Sequence, residues 1–146
     1  MYENILVPTD GSKGAKRGAE HAIDLAKRYD ATVHVLYVLD ERIHGGTPAL
    51  SSDEVFFEKL EDDGRDVLAK ISSEVEYAGL DATTSCVRGV PYEKILEYAD
   101  ENDVDLIAMG TSGRSGLDRY LLGSTTAKTV RRSEIPVLSV PEPASE

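Results

Sequence analysis

Apolar and polar positions along this chain alternate between two patterns, which are short apolar runs and longer stretches of helical periodicity. The runs, at positions 4–7, 32–39, 82–87, 105–109 and 136–140, are bounded by turn residues and predict strands that are mostly buried on both faces. The stretches between them place apolar residues three or four positions apart, which predicts helices over 12–29, 51–78, 91–102 and 124–133.

Regular alternation of strands and helices indicates an α/β fold. Its core is an open five-stranded parallel sheet with helices on both faces, joined by right-handed crossovers. The 146 residues suit a single domain over 1–146, and no linker or internal repeat interrupts them. The order of the strands cannot be read from this pattern. In such sheets ligands bind at the carboxyl ends of strands, where the strand order reverses.

A glycine-rich stretch lies between the fourth predicted strand and the last predicted helix. Its spacing is Gly110-x2-Gly113-x9-Gly123, followed by Ser124 and Thr125. Free N–H groups and the helix dipole make a helix N-terminus an anion site, and glycine lets a phosphate approach the backbone closely. Glycine pairs are usually only turns, so the spacing alone leaves both readings open. It is neither a P-loop nor a dinucleotide fingerprint.

The spacing G-x2-G-x9-G-S/T resembles the nucleotide-binding pattern of the universal stress protein family, in its ATP-binding branch. The resemblance extends to the start of the chain, Ile-Leu-Val-Pro-Thr-Asp-Gly-Ser at 5–12, and to Ile-Pro-Val-Leu-Ser-Val at 135–140, so it spans essentially the whole sequence. It implies a Rossmann-like sheet with strand order 3-2-1-4-5. In that order Asp10 and Gly110 end neighbouring strands at the switch point.

The candidate nucleotide-binding residues are Pro8, Thr9, Asp10, Val38, Met109, Gly110, Gly113, Arg114, Gly123, Ser124 and Thr125. The resemblance implies that the Pro-Thr-Asp segment lines the site, that the backbone of the second strand contacts adenine, and that the methionine packs on the base. The glycines, with the serine and threonine, would bind phosphates, and the arginine would pair with a terminal phosphate. No catalytic residue is assigned.

Four of the candidates also have a purely structural interpretation. Asp10 is a common kind of turn residue, Val38 and Met109 are ordinary core residues, and Arg114 is an ordinary solvated loop residue. Ser112 departs from the family, where a larger polar or basic residue is frequent between the glycines, and this departure predicts a missing or weaker phosphate contact.

The expected ligand is ATP, carried with Mg2+ or Mn2+ because an acidic protein needs help in neutralising phosphate charge. The spacing of His21, His34, His44 and Cys86 suggests neither a metal site nor a nucleophile. The resemblance implies a nucleotide-dependent binding or regulatory module in stress response. The alternative is a slow ATPase or a phosphoryl- or nucleotidyl-transferring enzyme, and a third possibility is a structural dimer with an empty pocket.

The amino-acid composition limits which classes of partner the chain is expected to bind. The formal net charge of −11, from 27 acids and 16 bases, disfavours nucleic acids and anionic membranes, which need a basic face. The acidic surface serves solubility or reflects adaptation to high salt, and the sequence leaves these two open. The lone Cys86, the lack of an apolar run near ~20 residues and the absence of a leader pattern favour the cytoplasm.

The last predicted strand, within 135–140, is apolar and lies at the sheet edge in the implied order. An open apolar edge invites pairing with another strand. We expect a homodimer through this edge, as the resemblance also implies, with a monomer whose own tail covers the edge as the alternative.

Overall fold

A computed structural model describes residues 1–42, 50–112 and 122–142. Nine elements follow one another in the chain: β1 (Asn4–Thr9), α1 (Lys13–Tyr29), β2 (Thr32–Asp40), α2 (Leu50–Tyr77), β3 (Ala82–Gly89), α3 (Pro91–Glu101), β4 (Leu106–Gly110), α4 (Ser124–Arg132) and β5 (Val137–Val140). These bounds lie within about two residues of the predicted ones at most ends, which is the usual uncertainty of element termini.

The five strands form one sheet in the order β3-β2-β1-β4-β5, and every neighbouring pair is parallel. The predicted fold class and the strand order are confirmed. The helices cover both faces. Alanines of α1 and apolar residues of α2 pack on the face that carries Ile5 and Val7, whereas α3 packs with Ile95 on the face that carries Leu6.

Two helix ends show why the boundaries were predictable. Ser12 caps the N-terminus of α1, because its Oγ accepts a hydrogen bond from Ala15 N at 3.2 Å. Gly79 follows α2 with φ of +82°, and the Leu80 N–H returns to Val75 O at 3.2 Å. This is the left-handed turn that glycine permits at a helix C-terminus.

Helix α1 approaches β4 so closely that a side chain at Gly110 would clash with the backbone of α1, and one at Gly18 would have little room. A Cβ on Gly110 would lie 2.7 Å from the carbonyl carbon of Gly14, and one on Gly18 would lie 3.1 Å from Met109 Cα. Alanines also line the buried side of α1, but it is glycine that brings the start of this helix against the end of β4.

The sheet opens between β1 and β4 at their carboxyl ends. Both strands lie in the described part of the chain, and their pairs are Ile5↔Leu106 and Leu6↔Ile107, whereas β1 stays paired with β2 as far as Thr9↔Tyr37. Asn4 O accepts a hydrogen bond from Asp105 N, so alternate residues, including Pro8, turn their backbone groups toward β4. Proline has no N–H to continue that ladder. A cleft therefore opens at the switch point.

Candidate functional site

A cavity of about 130 Å3 lies at the carboxyl ends of β1 and β4, where the strand order reverses. The structure brings together there a subset of the predicted residues: Pro8, Thr9, Asp10, Val38, Met109, Gly110 and Thr125. They come from β1 and the turn after it, β2, β4 and α4, which are separate stretches of the sequence. The cavity therefore exists only because of the sheet order.

One wall of the cavity is apolar. Leu36 and Val38 of β2, Met109 of β4 and Pro91 and Ile95 of α3 line it. Leu36, Ile95 and Met109 are at least 95% buried in the core beneath the cavity. Such a wall suits a flat, weakly polar ring, since apolar and aromatic surroundings bury most of a small ligand.

The turn between β1 and α1 forms the polar rim. Gly11, with φ of +81°, turns the chain so that its N–H meets Thr9 Oγ1 at 3.2 Å. Asp10 Oδ1 accepts a hydrogen bond from Ser12 N at 2.9 Å. Asp10 is thus a turn residue and also lines the cavity, so the two interpretations of its sequence position are compatible.

The N-terminus of α4 closes the other side. Gly123 is the N-cap residue, and its O accepts the first helical hydrogen bond from Ala127 N at 2.9 Å. The N–H groups of Ser124, Thr125 and Thr126 therefore precede the helical ladder and carry the positive end of the helix dipole. Thr125 and Thr126 line the cavity. An anion in the cavity would lie next to these N–H groups.

Ser124 is the first residue of α4, as predicted, and is exposed, whereas Gly123 is the N-cap residue. The N–H of Gly123 is donated to Thr111 O at 2.7 Å. This hydrogen bond links the N-terminus of α4 to the residue that follows β4. Phosphate binding by Gly123 and Ser124 remains a prediction. Gly113 and Arg114 lie outside the described residues.

The sequence analysis missed one polar residue of the site. Thr126 lines the cavity, is 4% exposed, and donates its hydroxyl proton to Gly110 O at 2.8 Å. Its signal was a second threonine directly after the Gly-Ser-Thr of the motif. Ser112, which was singled out as a departure from the family, is 6% exposed and also lines the cavity.

The titratable core residues lie outside the cavity lining. His34 is 8% exposed, and its ring nitrogens contact Tyr98 Oη at 2.7 Å and Asn4 Oδ1 at 2.9 Å. Burial lowers the pKa of His34 and raises the pKa of the Cys86 thiol on β3. His21 is exposed on α1, and His44 is outside the described residues. The described parts of the chain hold no group of three or more His, Cys, Asp or Glu suited to a metal ion.

Comparison with known proteins gives one consistent family. The model of the universal stress protein family matches residues 1–141. Universal stress protein MJ0531 of Methanocaldococcus jannaschii is 40% identical over 146 residues, covering all of this chain and 86% of the relative.

Solved structures agree with that family. The structure of MJ0577, described as a hypothetical protein whose biochemical function was assigned from its structure, is 32% identical with a TM-score of 0.87 over 99% of both chains. A universal stress protein in complex with cAMP is 27% identical with a TM-score of 0.73, over 97% of this chain and 99% of that one.

Proposed function

This chain belongs to the universal stress protein family, and we propose that it is an ATP-binding regulatory protein whose nucleotide lies in the cavity between β1 and β4. The main support for this proposal is that one cavity combines an apolar wall, a rim with a carboxylate and a helix N-terminus. These three features match a base, a ribose and phosphates in that order. The relative solved in complex with cAMP supports an adenine nucleotide as the class of ligand.

The placement of the nucleotide follows from the chemistry of each wall. Adenine would lie against Val38 and Met109, where burial of its faces is favourable. The Asp10 carboxylate would accept hydrogen bonds from ribose hydroxyls. The phosphates would lie at the N-terminus of α4, where unpaired N–H groups and the dipole favour negative charge.

A divalent metal, Mg2+ or Mn2+, would accompany ATP rather than occupy a site built by the protein. The lining residues that the structure describes include one carboxylate, Asp10, which fits an outer ligand of a metal already bound to phosphate oxygens. The metal would supply charge neutralisation for the phosphates. Calorimetry with and without Mg2+ tests this, with tighter ATP binding expected when Mg2+ is present.

Binding rather than turnover is the function that the site supports best. Among the described lining residues, Asp10 is the one candidate for a general base, and it already accepts the Ser12 N–H. The alternative is a slow ATPase or a phosphoryl- or nucleotidyl-transferring enzyme in the same pocket. ATP turnover by the pure protein with Mg2+ separates the two, since kcat at or above about 1 s⁻¹ would favour the enzyme.

Mass spectrometry of small molecules released from the purified protein tests the ligand itself. We expect an adenine nucleotide in about stoichiometric amount, or full loading after incubation with ATP and Mg2+. Protein that releases none and takes up none would contradict the proposal.

We also propose a homodimer formed by antiparallel pairing of β5 with its copy. β5 is an edge strand, and its residues Val137, Leu138 and Ser139 are only half-buried in the single chain. On the β5 side, Val140 O accepts a hydrogen bond from Thr111 N, and Pro136 O accepts one from Ile107 N, so the backbone groups of Pro136 and Val140 face β4. Because backbone groups alternate along a strand, those of Val137 and Ser139 point outward. Pairing with a second copy would satisfy them.

We place the protein in the cytoplasm, for which the lone thiol of Cys86 is the support, because a disulfide within the chain is impossible. No helix in the described part of the chain is long and apolar enough to cross a bilayer.

A further inference from the structure

The N-terminus of α4 is tied to the end of β4 by two hydrogen bonds. Thr126 Oγ1 donates to Gly110 O at 2.8 Å, and Gly123 N donates to Thr111 O at 2.7 Å. Two successive carbonyl groups at the exit of β4 therefore receive their donors from the cap and first turn of α4. One of these bonds depends on a side chain, and that side chain is 4% exposed.

The acceptor of the Thr126 bond is held rigidly from the opposite face of the sheet. A Cβ on Gly110 would lie 2.8 Å from Gly14 O and 3.1 Å from Ala15 N, so the strand end is pressed against the backbone of α1. This contact prevents Gly110 from moving closer to α1. A hydrogen bond to its carbonyl consequently fixes α4 relative to the sheet.

We propose that Thr126 is a positioning residue, which holds the first-turn N–H groups of α4 where a phosphate of the ligand lies. The inference rests on the proposed nucleotide function. Thr126 lines the cavity, but its hydroxyl proton is given to Gly110 O and is not available to a phosphate at the same time. It acts on the ligand through the orientation of the helix end.

The same helix provides a matched comparison. Thr129 is also buried, at 0% exposure, and its Oγ1 donates to Thr125 O at 2.7 Å within α4. Thr129→Val removes a buried hydroxyl from the same helix without touching the link to β4. A loss of AMP affinity in Thr126→Val that is absent from Thr129→Val would result from breaking the hydrogen bond between Thr126 and Gly110.

The experiment is calorimetric titration of wild type, Thr126→Val, Thr126→Ser and Thr129→Val with AMP and with adenosine. We expect Thr126→Val to bind AMP about tenfold more weakly, the scale of one impaired hydrogen bond to a charged group, with adenosine binding changed less than about twofold. Thr126→Ser, which keeps the hydroxyl, and Thr129→Val should bind AMP within about twofold of wild type. Hydrogen exchange of the Ala127 amide should be faster in Thr126→Val without ligand.

Several outcomes would overturn the inference. Equal losses for AMP and adenosine, failure of Thr126→Ser to restore AMP binding, or a Thr126→Val protein that does not fold would make Thr126 a purely structural residue. Unchanged AMP binding in Thr126→Val, with wild type binding normally, would overturn this inference and leave the proposed function intact. Wild type that binds neither AMP, ATP nor adenosine would overturn the proposed function and this inference with it.

Discussion

At the scale of single residues, Asp10 lies in the turn after β1 and lines the cavity in which we propose that the nucleotide binds. Its Oδ1 accepts the Ser12 N–H. Asp10→Ala should weaken ATP binding by about 1–3 kcal/mol, the cost of losing a hydrogen bond to a charged group. Asp10→Asn keeps an acceptor for the turn and removes the charge, so it separates the two roles. Calorimetry and thermal melts of both variants provide the measurement.

A clear result for Asp10 would be weak binding in both variants with a melting temperature close to that of wild type in Asp10→Asn. If Asp10→Ala unfolds while Asp10→Asn binds ATP normally, the residue serves the turn alone.

His34 predicts a pH dependence of stability. Burial lowers its pKa below 6.5 in the folded protein, so the unfolded chain binds more protons near that pH. The free energy of unfolding should therefore fall as the pH falls from about 6.5 toward the folded-state pKa, and His34→Gln should reduce that slope. Urea unfolding between pH 8 and pH 5 measures it. His21→Gln, at an exposed position, is the control, and an equal slope in His34→Gln and wild type would contradict the assignment.

At the scale of elements, β5 offers the sharpest test of the dimer. Ser139 points its N–H outward from the sheet edge, so Ser139→Pro removes a donor that the proposed dimer would use. We expect Ser139→Pro to shift the mass in light scattering toward the single-chain 15.9 kDa, while Ser139→Ala stays dimeric. A wild type that is monomeric at micromolar concentration would refute the proposal. Val140→Lys would not test the dimer, because Val140 is 2% exposed and a lysine there would destabilise the core of the single chain.

The strands themselves could be predicted from the sequence, but several contacts between the elements could not. Apolar runs predicted all five strands, because parallel strands covered by helices are buried on both faces and leave a clear signal. The sequence did not reveal that β1 and β4 separate after Leu6↔Ile107, since that depends on which strand faces Pro8. Nor did it reveal the bond from Thr126 to Gly110, because contacts between residues 16 positions apart in different elements depend on packing. The spacing Gly14-x3-Gly18 was a usable signal for the close approach of α1.

At the scale of the whole molecule, net charge predicts a response to salt. The charge of −11 implies mutual repulsion in the folded state, which is relieved when the Debye length falls from about 10 Å at 0.1 M to about 3 Å at 1 M salt. We expect the melting temperature to rise with KCl. Glu58→Lys with Asp62→Lys, at exposed positions of α2, changes the charge by two at each site, from −11 to −7, and should reduce the gain. Thermal melts without any gain up to molar KCl would exclude a salt-adapted surface.

The proposed position of ATP is the N-terminus of α4, in the cavity between β1 and β4. Thr125→Glu tests it most directly, because Thr125 lines the cavity in the first turn of α4, where a carboxylate suits the helix dipole but repels phosphate. Calorimetry with ATP and Mg2+ should show one site per chain in wild type, and binding at least about tenfold weaker in Thr125→Glu than in Thr125→Gln, at an unchanged melting temperature. Equal affinity in Thr125→Glu and Thr125→Gln would place the nucleotide elsewhere, and no binding by wild type would contradict the proposed function.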